Sequence, residues 1–112
     1  YMQQKRRIKN IDEVIRYLNS INYYANKTEE NVKTILKDNI AKYKQGKITV
    51  SFLVALCSEL LYYANNIGAF KDTALREVLE KGDRLSYQVT FQIKNSESDS
   101  LLDSILTYCE SC

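Results

Sequence analysis

The chain contains no histidine, no proline and no tryptophan, and only three glycines and three cysteines in 112 residues. Without histidine, the commonest general base and the commonest metal ligand are gone, and with them every Ser-His or Cys-His catalytic arrangement. Gly46, Gly68 and Gly82 stand 22 and 14 residues apart, each where a helix is expected to end, so no glycine-rich phosphate loop is available. Cys57 falls in an apolar stretch, while Cys109 and Cys112 make a lone C-x-x-C with neither a second pair nor a histidine to complete a zinc site. Three reduced thiols of no catalytic role are expected. The longest apolar stretch, around Phe52 to Ala64, is broken by Ser58 and Glu59 and falls short of the roughly 20 residues that cross a bilayer. The basic opening, Lys5, Arg6, Arg7 and Lys9, is not followed by the apolar run of a secretory signal. Carboxylate pairs such as Asp12 with Glu13 and Glu77 with Glu80 read as solvated helix faces. The expectation is a cytoplasmic, non-enzymatic chain with no cofactor, no metal and no membrane partner.

What remains is rich in helix formers and poor in helix breakers. A chain of this length buries one core without staples, so one helical domain spanning residues 1–112 is expected. Asn10 is placed to cap a first helix on which Ile11, Val14, Ile15, Leu18 and Ile21 form one stripe. Thr28 caps a second, with Val32, Ile35, Leu36, Ile40 and Tyr43 along one side, lysines on the other, and Gly46 as its left-handed terminator. Thr49 caps a third, apolar nearly all round from Val50 to about Asn66 and therefore central, which Gly68 closes. Asp72 or Thr73 caps a fourth that runs through Leu75, Val78 and Leu79 toward Gly82. Ser98 or Asp99 begins a short last helix with Leu101, Leu102, Ile105, Leu106 and Tyr108.

One stretch breaks the pattern. Leu85, Tyr87, Val89, Phe91 and Ile93 alternate with Ser86, Gln88, Thr90 and Gln92, the period of a strand. On a helix those five point to opposing sides and leave no single buried face. A strand needs a partner, and Lys47–Phe52 is the internal candidate. Two architectures therefore fit: a mainly α bundle of four to five helices in which the fourth runs on through residue 93, which is preferred, and a helical domain with a two-stranded patch of Lys47–Phe52 and Leu85–Ile93.

Three features point to binding. Nine tyrosines include the adjacent pairs Tyr23–Tyr24 and Tyr62–Tyr63, and an exposed tyrosine buries much area with few rotors to freeze. Charge is uneven: residues 1–47 hold 11 basic against 5 acidic side chains, residues 48–112 hold 5 against 9, and the acids include Glu77, Glu80, Asp83, Asp99 and Asp103. Carboxylates so gathered can mimic phosphate toward a basic cleft and speed encounter with it. Third, Ala64-Asn65-Asn66-Ile67-Gly68 before Thr73-Ala74-Leu75-Arg76 resembles a winged helix-turn-helix, with the alternating stretch as its wing, although Glu77, Glu80 and Asp83 on the reading helix would repel DNA.

The run Gly46-Lys47-Ile48-Thr49, followed by Phe52, Cys57 and Glu59 in a helix, resembles the colicin D type of bacterial immunity protein. The likeness extends through some 65 residues and leaves the first 45 largely unmatched. It implies a small helical bundle that covers the active site of a toxin nuclease. It further implies Glu77, Glu80, Asp83, Asp99 and Asp103 as decoys for phosphate, with Tyr62 or Tyr63 as an aromatic anchor. The sequence thus leads to a protein-binding module whose partner is a cognate toxin domain. A DNA-binding regulator and a helical oligomerisation or adaptor protein, homodimer included, are the alternatives.

Overall fold

The computed structural model of the chain describes residues 8–67, 71–93 and 96–108, the stretch 63–67 by its backbone alone. Five helices fill those residues: α1 (Ile11–Ser20), α2 (Glu29–Lys44), α3 (Val50–Ile67), α4 (Thr73–Thr90) and α5 (Ser96–Tyr108), with a 3-10 turn at Tyr23–Ala25. The expected mainly α architecture holds. The Cα radius of gyration, 12.9 Å, is close to the ~13 Å of a compact chain near this length.

The helix that is apolar all round is the central one. From Leu53 to Leu60 every residue of α3 is buried, and α1, α2 and α4 all pack against it. α1 contributes Ile11, Val14 and Leu18, α2 contributes Val32, Ile35, Leu36 and Ile40, and α4 contributes Leu75, Val78 and Leu79. α5 leans on α4 and adds Leu101 and Ile105. Ile21, expected to end the α1 stripe, is instead exposed beyond the helix.

Cap chemistry is local, and most of it forms as expected. Thr28 Oγ1 accepts from Asn31 N, Thr49 Oγ1 from Phe52 N, and Asp72 Oδ1 from Leu75 N. α2 ends in a Schellman motif: Lys47 N donates to Lys42 O, Gly46 N donates to Tyr43 O, and Gly46 takes φ +75°. Asn10 departs from expectation. Its own backbone is left-handed at φ 68°, so its side chain misses the first-turn amides and its Nδ2 donates to Glu13 Oε1 at 2.8 Å. The last helix begins at Ser96 rather than at Ser98 or Asp99.

Two further readings are corrected. The two-stranded patch does not form: there is no strand among the described residues, Lys47 completes the exit of α2, Val50–Phe52 opens α3, and Leu85–Thr90 is helix. With 47–52 already committed to a helix exit and a helix start, 85–93 has no ladder partner, and helix satisfies its backbone alone. The winged-helix alternative loses its wing by the same finding. Gly82 does not end a helix but sits in the middle of α4, where a Cβ would overlap Cys57 Cβ and stand 2.6 Å from Cys57 Sγ. Its missing side chain is what lets α4 lie against α3. Gly68 lies outside the described residues, as do Cys109 and Cys112.

Candidate protein-binding surface

Residues two apart on a helix stand about 200° round its axis, so a period of two divides its apolar side chains between opposing sides. This happens at the end of α4. Leu85 is buried and Val89 half-buried, one turn apart, while Tyr87 and Phe91, also one turn apart, face out at 40% and 57% exposure. Two polar residues of the alternation, Ser86 and Gln88, are not on a wet face. Ser86 is buried, its Oγ donating to Asp83 O at 2.5 Å. Gln88, also buried, donates from Nε2 to Glu97 Oε1 at 2.7 Å and accepts from Ser98 Oγ at 2.6 Å. Those bonds tie the start of α5 to the end of α4, and Arg84 adds an ion pair to Glu97 Oε2 at 3.2 Å.

The helix closes with a second Schellman motif. Ile93 N donates to Gln88 O at 2.8 Å, Gln92 N donates to Val89 O at 3.3 Å, and Gln92 holds the left-handed position at φ 58°. This sharp exit leaves Ile93 half exposed, so Tyr87, Phe91 and Ile93 stand in solvent around one helix end. Lys9 N donates to Thr90 Oγ1 at 3.0 Å and steadies that end from the other side.

Beside it, α4, α5 and the first residue of α3 enclose a groove of about 680 Å³. Val50, Leu85, Val89, Ile93 and Leu102 give it an apolar floor, and Gln88, Gln92, Ser98 and Asp99 give it polar edges. A partly apolar concavity with a few polar groups, and with Ile93 half exposed on its lining, suits a large side chain from another molecule.

The residues expected from sequence to bind a partner are spread along α4 and α5. Asp99 edges the groove, and Asp103 is exposed one turn further along α5; neither forms an ion pair with a described residue. Glu77 is exposed and lines a separate cleft with Lys81, Ser104 and Tyr108. Eleven residues separate Glu77 from Gln88 at the groove, roughly 16 Å of helix. Glu80 pairs with Arg76 at 3.3 Å. Asp83 is turned inward, half-buried, with Oδ1 accepting from Ser58 Oγ at 2.6 Å. Tyr62 is half-buried, and the Tyr63 side chain lies outside the described residues. The structure therefore brings only Asp99 to the groove, with Asp103 near it. Tyr87, Phe91 and Ile93 were not among the residues expected to bind, although their alternation was the anomaly in the sequence that marks them.

The interior offers little reactive chemistry. Burial, with the Asp83 charge beside it, pushes the Cys57 thiol up to about 12, so it stays protonated and a poor nucleophile near neutral pH. Burial and the same carboxylate raise the Tyr87 phenol above its ordinary value, leaving a neutral ring edge that can donate a hydrogen bond. Glu59, buried on α3, accepts from Tyr24 Oη at 3.1 Å and ties the 3-10 turn to the central helix. Tyr23 and Tyr24 meet edge to face at 5.5 Å, with Tyr23 in the core. Among the described residues no three His, Cys, Asp or Glu side chains gather as a metal site, and no helix is long and apolar enough to cross a membrane. No protein-family model, curated protein or solved structure matches the chain.

Proposed function

We propose that this chain is a non-enzymatic protein-binding module that presents the end of α4 to its partner. The observation that carries the reading is that Tyr87, Phe91 and Ile93 all stand exposed at the end of α4, where Ile93 also lines the groove floored by Leu85, Val89 and Leu102. Large exposed apolar side chains cost solubility, and aromatic ones supply much of the energy at protein interfaces. Toxin neutralisation is the most concrete form of the proposal. It is supported by the resemblance carried by Gly46-Lys47-Ile48-Thr49, and in that form Glu77, Asp99 and Asp103, exposed and free of ion pairs with described residues, are the phosphate decoys. Asp83 and Glu80 suit that role less well, being occupied by Ser58 and Arg76.

The test places a photo-crosslinking amino acid at position 91 and, as control, at exposed Asn19 on α1, in the cell that makes the protein. The proposal expects a discrete protein adduct from position 91 alone. Adducts to nucleic acid, or equal labelling from both positions, contradict it. Titration with duplex DNA at low salt is expected to show no binding; binding that falls steeply toward physiological salt would put a nucleic-acid partner in its place.

A further inference from the structure

We infer that the groove between α4 and α5 receives a cationic amphipathic helix of a partner protein, its apolar side chains seated against Val89, Ile93 and Leu102 and its basic side chains facing Asp99 and Asp103. The inference rests on the protein-binding reading and names the chemistry of the partner.

A helix is the fitting occupant because the groove is walled by two helices and no strand edge is available among the described residues for an extended peptide to join. At about 680 Å³ the groove takes two or three large apolar side chains, the number that one face of a docked helix supplies over two turns. Ile93, half exposed and part of the groove's lining, is the apolar side chain that such a helix meets first.

The sign of the partner's charge follows from α5. That helix carries Glu97, Asp99 and Asp103 and not one basic residue. Glu97 is consumed internally, one oxygen by Gln88 and the other by Arg84. Asp99 and Asp103, four residues apart and so neighbours on the helix surface, have no such counter-charge among the described residues. A lysine- or arginine-bearing helix in the groove supplies it. A second copy of this chain laid two-fold across the groove would instead bring two sets of these aspartates to one interface. Such like-charge juxtaposition is costly.

The probe is a labelled helical peptide of about 15 residues, built of leucine at helical spacing and lysine elsewhere, read by fluorescence anisotropy against the same peptide with glutamate for lysine. The lysine peptide is expected to bind, more weakly as salt rises. Ile93→Ser, which removes the exposed apolar side chain of the groove's lining, should weaken it at least roughly tenfold. The pair Asp99→Asn and Asp103→Asn should weaken it roughly fivefold at low salt and flatten its salt dependence. The pair Asp12→Asn and Glu30→Gln, also exposed, on α1 and α2, should leave it unchanged. All five positions are exposed, and unchanged thermal melting confirms that each variant folds.

Equal losses from the α5 pair and the α1 and α2 pair would show unspecific charge attraction and overturn the inference. Equal or tighter binding of the glutamate peptide, lost in Ile93→Ser, would overturn the cationic partner while leaving the protein-binding surface in place. So would an Ile93-dependent dimer in sedimentation. If neither peptide responds to Ile93→Ser and the chain stays monomeric, the inference fails, while the crosslink at position 91 decides the functional reading on its own.

Discussion

The two halves of α4 use one backbone conformation for opposite ends. From Thr73 to Gly82 its apolar residues recur at three and four, bury Leu75, Val78 and Leu79 together, and close on α3 through a glycine. From Asp83 to Thr90, with Phe91 just after, apolar residues recur at two, and half of them face away from the core. The first half is built to fold. The second buries Leu85 inward and carries outward a surface that folding does not use, which is the physical basis for assigning it to recognition.

Substitutions can break this comparison in order of expected size. Leu85→Ala empties a buried site on the inner side of the second half, and should lower the unfolding free energy in urea by about 3 kcal/mol. Gly82→Ala tests the first half. Helix propensity alone predicts a gain of about 1 kcal/mol, but overlap with Cys57 should outweigh it and give a net loss of about 2 kcal/mol. A net gain would mean that α3 and α4 are not so closely packed.

Asp72 anchors the start of the first half. Its backbone bond from Leu75, with Lys33 at 3.5 Å, holds its carboxyl below the usual carboxylate range despite some desolvation. Glu29 reaches the same turn from α2, its Oε2 accepting from Asp72 N at 2.6 Å. Because the folded pKa is depressed, the contribution of Asp72 is fully present above its unfolded value near ~3.9 and is lost as pH falls through the folded value. Asp72→Ala should cost about 1 kcal/mol at pH 7 and progressively less in acid, measured by urea unfolding across pH. A loss independent of pH would contradict the cap. At the far end, Gln92→Gly should stabilise by about 0.5–1 kcal/mol, since glycine takes a left-handed exit without the Cβ penalty that glutamine bears. The matching Gly46→Ala should destabilise by a similar amount.

Caps and the exit of α2 were legible because their chemistry lies within a few residues: Thr28, Thr49, Asp72 and Gly46 each act on the adjacent turn. Gly82 was misjudged because its reason lies 25 residues away at Cys57, and the exit at Gln92 was hidden because glutamine rarely marks a left-handed residue. The exposed carboxylates could be found by composition. Which of them the fold would consume could not, since Asp83 is drawn in by Ser58 of another helix. The anomaly at Leu85–Ile93 was visible, but sequence alone could not show which of its sides the core would take.

The most direct check of the account is the urea unfolding free energy of Phe91→Ala beside the parent chain. An exposed side chain that serves only recognition should change it by less than about 0.5 kcal/mol, with the slope against urea unaltered. A loss of about 2 kcal/mol or more would show that the phenylalanine is part of the core, and the proposed surface would not exist.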